Sequence, residues 1–323
     1  MKSTFHTLAA VAAVTAFAAA CADPYVEPLP PRDRLNYPVG LAIHPEGRYL
    51  YVVNSNFDTR YREDVGGTLA VVDLQKRELR PEASPFLPSF GGMIELSRDG
   101  TRAYIATRNQ NAVVSLSVSP RGATVYCQDD GVTTSDPAAC TLRRVPDIIG
   151  GSLIPSDPFA LDVTTVDWEN SDGEPFEIDL VNVAHLRGDN VTTIAIPRAE
   201  DSADALATSM QSASLIAGGS AIARRPGTRD IYVGGRLSRE IAVFFPYLAP
   251  DSASLQALIR RGTIQLGNVG ESVDTRGLAF DAAGETLYVV TRVPDALHIV
   301  DLGPRDAETG AGSLDQVVAS IPV

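Results

Sequence analysis

A repeated unit is the feature that most limits how this chain can fold. Residues 277–301 read GLAFDAAGETLYVVTRVPDALHIVD, and the same order of apolar runs and turn residues begins at Gly40 and ends at Asp73. The pattern predicts three short strands with a polar glycine turn between the first two. Because one such sheet cannot bury both of its faces, copies of it must stack on one another.

Five copies of the unit align on one position of the second strand. Four copies carry a tyrosine there, and a turn glycine precedes it by four or five residues: Gly47 and Tyr51, Gly100 and Tyr104, Gly227 and Tyr232, Gly284 and Tyr288. Glycine supplies the positive φ of a tight turn, and tyrosine fills the space between packed sheets while its hydroxyl reaches a polar edge. The third copy, which begins near Asp157, is divergent. Short helical segments are predicted only at residues 199–213 and 251–260.

The repeat resembles a known family. The segments Tyr51-Val52-Val53-Asn54 and Tyr288-Val289-Val290-Thr291 are similar to the core of the YVTN repeat, with looser copies at Tyr104 and Tyr232. Proteins with this repeat include lactonase-like and surface-layer propellers, so the resemblance implies an all-β fold, a β-propeller of four-stranded blades over residues 36–323. The family has seven blades and we recognise five. Since residues 320–323 resemble the start of another copy, we expect a chain that is incomplete at its C-terminus; closure with fewer or unrecognised blades is the alternative.

The N-terminus predicts export and lipid anchoring. Residues 1–20 form a signal peptide whose apolar stretch is too short for a membrane span. It ends in three alanines before Cys21, which resembles the bacterial lipobox; an ordinary secretory signal with an incidental Cys21 is the alternative. Residues 21–35 read as a proline-rich tether. We therefore expect a cell-envelope protein that is anchored through Cys21, with its domain in the periplasm or at the cell surface. Ala22 after the cysteine favours the outer over the inner membrane.

Two cysteines remain in the predicted domain, Cys127 and Cys140. A leftover pair in an exported protein predicts a disulfide bond rather than a metal site or a redox couple. A loop of this size would stabilise the fold by about 3 kcal/mol in the chain-entropy description.

Composition and motifs exclude several function classes. A net charge of −13 argues against nucleic acid as a partner. The histidines His44, His185 and His298 are far apart in sequence, and the chain has no zinc-helix or covalent-haem motif and no nucleophile elbow. We therefore predict no catalytic residue, no metal site and no cofactor.

Arginine supplies the one pattern that suggests a ligand. Arg108, Arg236 and Arg292 each lie four residues beyond the tyrosine of their unit, and we place Arg187 at the equivalent position of the third unit. Equivalent residues of successive blades form a ring, so four guanidinium groups around a channel mouth would bind a carboxylate or phosphate. In the alternative interpretation each arginine pairs with an acidic residue of a neighbouring blade, such as Asp189, Glu240 or Asp295. The arginine-rich composition favours this alternative.

The sequence thus predicts a lipid-anchored propeller that acts as a binding or scaffold module for a partner protein or a small anionic ligand. The alternative, implied by the family resemblance, is a lactonase-like hydrolase with its active site in the propeller channel.

Overall fold

The computed structural model describes residues 27–57, 61, 66–126, 143–145, 154–169, 173–198, 209–214, 217–249, 254–267, 272–304 and 315–323. Cys21, Cys127, Cys140 and residues 1–20 lie outside these ranges. Within the ranges, no helix is both long enough and apolar enough to cross a lipid bilayer.

Within these ranges, twenty-two strands form five antiparallel sheets in chain order. The first sheet contains β1 (Pro38–Ile43), β2 (Tyr49–Asn54), β3 (Gly67–Asp73), β4 (Glu78–Leu79) and β5 (Phe86–Leu87). The second contains β6 (Gly91–Leu96), β7 (Arg102–Thr107), β8 (Ala112–Val118), β9 (Val125–Tyr126) and β10 (Arg143–Val145). The outermost position of each sheet is divided between two short strands, which both pair with the third strand. A 3₁₀ turn, Pro81–Ala83, separates β4 from β5.

The other three sheets have four strands each. The third contains β11 (Pro158–Glu169), β12 (Pro175–His185), β13 (Asn190–Pro197) and β14 (Ser209–Ser214). The fourth contains β15 (Gly219–Arg224), β16 (Ile231–Gly235), β17 (Glu240–Leu248) and β18 (Leu255–Gln265). The fifth contains β19 (Thr275–Phe280), β20 (Thr286–Arg292), β21 (Asp295–Asp301) and β22 (Gln316–Pro322).

These sheets are the blades of a β-propeller, as the repeat predicts. The first strands of successive blades pack against one another in the order β1, β6, β11, β15, β19, so these inner strands surround a common axis. A separate apolar core lies between each pair of neighbouring blades. The backbones of neighbouring blades come close at Gly92, where an added Cβ would lie 2.5 Å from the carbonyl oxygen of Phe159 in the next blade. The all-β propeller of five blades is confirmed; seven blades and an incomplete C-terminus are not.

The predicted helical segments are wrong where the structure describes them. Ser209–Ser214 pairs with β13, and Leu255–Gln265 pairs with β17. Each segment supplies the fourth strand of its blade, and the main-chain bonds of that pairing override the local preference for helix.

The repeated tyrosine performs the predicted task. Tyr51, Tyr104 and Tyr232 are fully buried between blades, and their hydroxyls bond to the Gly122 carbonyl, the Asp179 carboxylate and the Asp315 carboxylate at 2.7, 2.7 and 3.2 Å. The turn glycines all have φ between 70° and 73°, as a tight turn requires. Tyr288, at the same position of the fifth blade, is 38% exposed.

The first and fifth blades each present one apolar face to solvent. Leu41 and Ile43 of β1 are 62% and 58% exposed, while Val290 of β20 is 44% exposed. The equivalent faces between the inner blades are buried, so these two faces are the exceptions to the stacking rule.

Candidate functional site

One end of the propeller is built from the same backbone feature in every blade. The residue before each inner strand has a left-handed φ between 45° and 68°. Its carbonyl oxygen accepts a main-chain N–H from the end of the second strand or from the residue just after it. The accepting residues are Tyr37, Phe90, Asp157, Gly218 and Asp274; the donating residues are Ser55, Arg108, Leu186, Arg236 and Arg292. We call this end, defined by these ten residues, the mouth. The repeated bond fixes the direction in which each loop leaves its second strand.

This bond corrects the placement of Arg187. Arg108, Arg236 and Arg292 occupy equivalent positions, as predicted, but Leu186 is the equivalent residue of the third blade. Arg187 lies one residue further on. The third blade has no tyrosine to mark the register, because Asn182 occupies the tyrosine position opposite Asp162. The ring of four equivalent arginines is therefore a ring of three, with Arg187 displaced.

The arginines contact two different aspartates at the mouth. The Nε and Nη2 of Arg108 both donate to the carboxylate of Asp157 on the next blade, the second bond at 3.2 Å. The Nε atoms of Arg236 and Arg292 lie 3.5 and 2.9 Å from the carboxylate of Asp274. Ion pairing was the predicted alternative, and in the described part of the chain the partners of these three arginines are Asp157 and Asp274 rather than Asp189, Glu240 or Asp295. The two aspartates occupy the same position, before the inner strand of the third and fifth blades.

A cavity of about 560 Å³ opens beside the first of these pairs. Its lining residues are Phe57, Phe90, Arg108, Asn109, Asn111, Ser156, Asp157 and Arg187. Phe57 is 47% exposed and forms an aromatic wall with Phe90, at 5.5 Å between ring centroids, and with Tyr37, at 6.0 Å and edge-on. The cavity therefore combines an apolar wall with charged and amide groups, the composition typical of a small-molecule site.

Two polar groups of the cavity are free to bind a ligand. The Oδ1 atom of Asn109 is buried and has no hydrogen-bond partner among the described residues. Arg187 is exposed and forms no ion pair within the described ranges. Arg108 and Asp157 neutralise each other, so Arg187 leaves the cavity with one excess positive charge. An unpaired buried acceptor is costly, which makes a hydrogen-bond donor on the ligand favourable here.

The wall of the cavity is held by a buried histidine. His185 is fully buried, and its ring nitrogens contact the Ser156 carbonyl at 3.2 Å and the Thr192 hydroxyl at 3.0 Å. Burial lowers the pKa of His185 to about 4, so the ring is neutral at physiological pH. His44 and His298 belong to other blades. Among the described residues, no three side chains of His, Cys, Asp or Glu are grouped as metal ligands would be.

A second group of acidic residues lies on the inner strands. Glu95 of β6 and Asp162 of β11 occupy the position that holds alanine in the other three blades, Ala42, Ala223 and Ala279. Glu95 has solvent access although protein surrounds it on most sides, as expected for a channel wall. This environment and the nearby charge of Asp162 raise the pKa of Glu95 to about 7. Burial also raises the pKa of Asp162, whose carboxylate accepts a 3.0 Å bond from Asn182.

Sequence reasoning missed most of this mouth. Alignment of the blade starts would have found Asp157 and Asp274, since each directly precedes an inner strand. No pattern in the sequence marks Asn109, Phe57 or Glu95, because only the stacking of blades brings them to the cavity and the channel.

Comparison with known proteins identifies the fold of the chain but not its family. No protein-family model and no curated protein matches the sequence. The structure resembles the periplasmic gluconolactonase PpgL of Pseudomonas aeruginosa, with 19% identity, a TM-score of 0.55, and coverage of 88% of this chain and 72% of that chain. A Lactobacillus plantarum protein matches with 15% identity, a TM-score of 0.55, and coverage of 88% and 71%. Hydrazine synthase of Kuenenia stuttgartiensis matches with 16% identity, a TM-score of 0.51, and coverage of 88% and 74%.

Proposed function

We propose that this protein is a lipid-anchored binding module of the cell envelope that holds a small anionic organic molecule in the mouth cavity. The observation that carries the proposal is the cavity itself, which combines an exposed aromatic wall with a guanidinium and a buried amide oxygen that have no partner among the described residues. Its volume lies within the range of about 300–1,000 Å³ that small-molecule sites occupy.

The chemistry of the lining defines the ligand. Arg187 supplies a charge-assisted bond to a carboxylate or phosphate group. Asn109 Oδ1 accepts a hydrogen bond from a hydroxyl or amine of the same molecule. Phe57 offers an apolar surface to a ring. Since the excess charge of the cavity is a single positive one, a monoanion with a cyclic body and at least one hydroxyl matches it best.

Thermal-shift screening with monocarboxylates tests this proposal. The probes range from benzoate to hexuronates, and we expect at least one of them to raise the unfolding temperature of the wild-type chain. Arg187→Gln and Asn109→Leu should each weaken that binding by about tenfold, the size expected for losing one charge-assisted or buried hydrogen bond.

The matched control is Arg121→Gln. Arg121 is exposed in the turn between β8 and β9, at the end of the second blade opposite the mouth. This variant should bind the probe as the wild type does. A probe that binds Arg187→Gln with undiminished affinity, or a screen with no binder at all, would contradict the cavity as the site.

Anchoring and the disulfide are separate parts of the proposal, and their residues lie outside the described ranges. We expect Cys21→Ala to release the protein from the membrane fraction. We also expect the number of titratable thiols of the purified domain to rise by two, Cys127 and Cys140, on reduction. A variant that stays with the membrane, or a thiol count that reduction leaves unchanged, would rule out the corresponding part.

A lactonase-like hydrolase is the second candidate, and Glu95 favours it. A carboxyl group with a pKa of about 7 on a channel wall is suited to general-base activation of water at neutral pH. Asp162 raises that pKa, and Arg224, which lowers the pKa of Asp162, brings a positive charge to the same group. The gluconolactonase PpgL shares the fold only, so the support comes from these residues.

Hydrolysis of glucono-δ-lactone, with and without a chelator, separates the two functions. If the channel is an active site, turnover should depend on one ionisation near neutral pH, and Glu95→Gln should lower kcat by about 10²-fold or more. Turnover at the uncatalysed rate would leave the binding module as the function. Loss of turnover on chelation alone would assign the reaction to a bound metal instead of Glu95.

We also propose that the propeller is a seven-bladed ring. The number seven comes from the resemblance of the repeat to the YVTN propellers, and further blades are supported by the two exposed apolar faces, at Leu41 and Ile43 of the first blade and at Tyr288 and Val290 of the fifth. Blades of the same kind would cover them as the inner blades cover one another. Projection images of the protein expressed from its gene, viewed down the axis, would count the blades, and any number other than seven would refute this part.

A further inference from the structure

Three arginines surround a single aspartate at the mouth between the fourth and fifth blades. Arg276 Nη2 and Arg292 Nε lie 2.8 and 2.9 Å from Asp274 Oδ2, and Arg236 Nε lies 3.5 Å from Asp274 Oδ1. We call Arg236, Arg276 and Arg292 the arginine cluster. Because all three contact one carboxylate, their guanidinium groups lie within reach of one small ligand.

The charges of the cluster do not cancel. Among the described residues, three guanidinium groups against one carboxylate leave two positive charges. Asp295 lies opposite Arg292 in the hairpin register, but forms no ion pair with it in the described part of the chain. Glu240, on the neighbouring strand, already accepts bonds from Arg260 and Gln265. The excess is notable in a chain whose net charge is −13.

The outward side of the cluster is available to solvent. The side chains of Arg236, Arg276 and Arg292 are 43%, 35% and 61% exposed, whereas that of Asp274 is 8% exposed. Arg236 and Arg292 approach Asp274 through Nε, and among the described residues their terminal Nη groups have no other carboxylate partner. These planar donor pairs match the oxygens of phosphate and sulfate.

Asp274 holds the three side chains in place. Its backbone carbonyl accepts the Arg292 N–H at 3.1 Å, which joins the start of β19 to the end of β20. The buried carboxylate therefore acts as a fixed hub, and the side-chain ordering that an anion would otherwise have to impose is partly complete before it binds.

We propose that the arginine cluster is a binding site for a doubly charged oxyanion, a phosphate or sulfate group. The site is distinct from the mouth cavity, shares no residue with it, and does not depend on the cavity having a ligand. Two positive charges select a dianion, as the single positive charge of the cavity selects a monoanion. The group could be free phosphate or part of a phosphomonoester.

Isothermal titration with inorganic phosphate tests the site. At about pH 8 phosphate is mostly dianionic and should bind the wild type; at about pH 5.5 it is mostly a monoanion and should bind at least about tenfold more weakly. Sulfate keeps its charge over this interval, so its affinity should change little. Glycerol phosphate in place of inorganic phosphate shows whether the site accepts an esterified group.

Variants connect the binding to the cluster. Arg276→Gln and Arg292→Gln should each weaken phosphate binding by about tenfold or more, while Arg121→Gln should leave it unchanged. Arg292 is the most exposed member, so Arg292→Gln keeps the test valid if Arg276→Gln unfolds; circular dichroism at both pH values verifies the fold. Arg187→Gln should bind phosphate normally, which separates this site from the cavity.

Two results would overturn the proposal. One is a wild-type protein that binds neither phosphate nor sulfate. The other is a folded Arg292→Gln variant that binds phosphate as tightly as the wild type does.

Discussion

The mouth has two halves with the same backbone and different charge. Asp157 and Asp274 precede the inner strands of the third and fifth blades, both with a left-handed φ, and both accept a main-chain N–H from the end of the second strand. Within the described part of the chain, Asp157 pairs with one arginine, Arg108, whereas Asp274 contacts three. The repeated backbone thus fixes the positions of Asp157 and Asp274, and the number of arginines around each aspartate determines the charge of the ligand that can bind there.

The inner strands that line the channel also differ in charge between the two halves. Glu95 and Asp162 place carboxyl groups on the inner strands of the second and third blades, where the fourth and fifth blades have Ala223 and Ala279. One half of the propeller therefore combines a cavity that has one excess positive charge with an acidic channel wall. The other half combines the arginine cluster, which has two excess positive charges, with alanine at the same positions of the inner strands, so the two halves differ in the ligand charge that they favour.

The largest expected effect is the acid sensitivity of the half that contains His185. His185 ends β12, and Thr291 is its equivalent in the fifth blade. Its pKa of about 4 in the folded state lies below the usual value of 6.5, so the unfolded chain binds more protons between these values. The stability that His185 contributes is fully present above about pH 6.5 and is lost as the pH falls through about 4. The free energy of unfolding changes by about 3 kcal/mol over this interval.

Denaturant unfolding at several pH values measures this difference. The variant His185→Thr, which gives the third blade the residue of the fifth, should lose less stability than the wild type between about pH 7 and pH 4. Parallel pH curves for the two proteins would show that His185 does not carry the acid sensitivity.

The second prediction compares the two aspartates directly. Asp274→Asn should lower the free energy of unfolding by about 2 kcal/mol, and Asp157→Asn by about 1 kcal/mol, after allowance for the solvent exposure of the arginines. Asparagine tolerates the left-handed conformation, so the difference reports the ion pairs and not the backbone. Equal losses in chemical denaturation would mean that the number of arginine partners does not matter.

The sequence predicts the repeated backbone that forms this mouth, but not which side chains meet there. The tyrosine and glycine positions recur in four of the five blades and identify the propeller. Each depends on local structure, because glycine permits the tight turn and tyrosine fills the space between sheets. The side chains that would bind a ligand depend on contacts between blades, such as Arg108 with Asp157 and Arg236 with Asp274, whose members are far apart in sequence. The sequence pattern places Arg187 one residue away from its true position, because Asn182 replaces the tyrosine that marks the register in the other blades.

The smallest expected effect concerns the acidic channel wall. The pKa of Glu95, about 7, is raised above the 4.5 of an unperturbed glutamate, so the folded chain binds more protons than the unfolded chain between these values. Stability from this group is fully present below about pH 4.5 and is lost as the pH rises through about 7. The stability from Glu95 therefore decreases as the pH rises, whereas the stability from His185 increases.

Glu95→Gln removes the ionisation while preserving the shape of the side chain. We expect the variant to be about 1 kcal/mol more stable than the wild type at about pH 8, and equal to it at about pH 4.5; the value allows for the solvent access of Glu95. The matched control is Glu46→Gln, an exposed carboxylate in the turn between β1 and β2. If Glu95→Gln and Glu46→Gln shift the pH–stability curve alike, the inner strands of the two halves do not differ electrostatically, and Glu95 loses its support as a general base, because both conclusions rest on the same raised pKa.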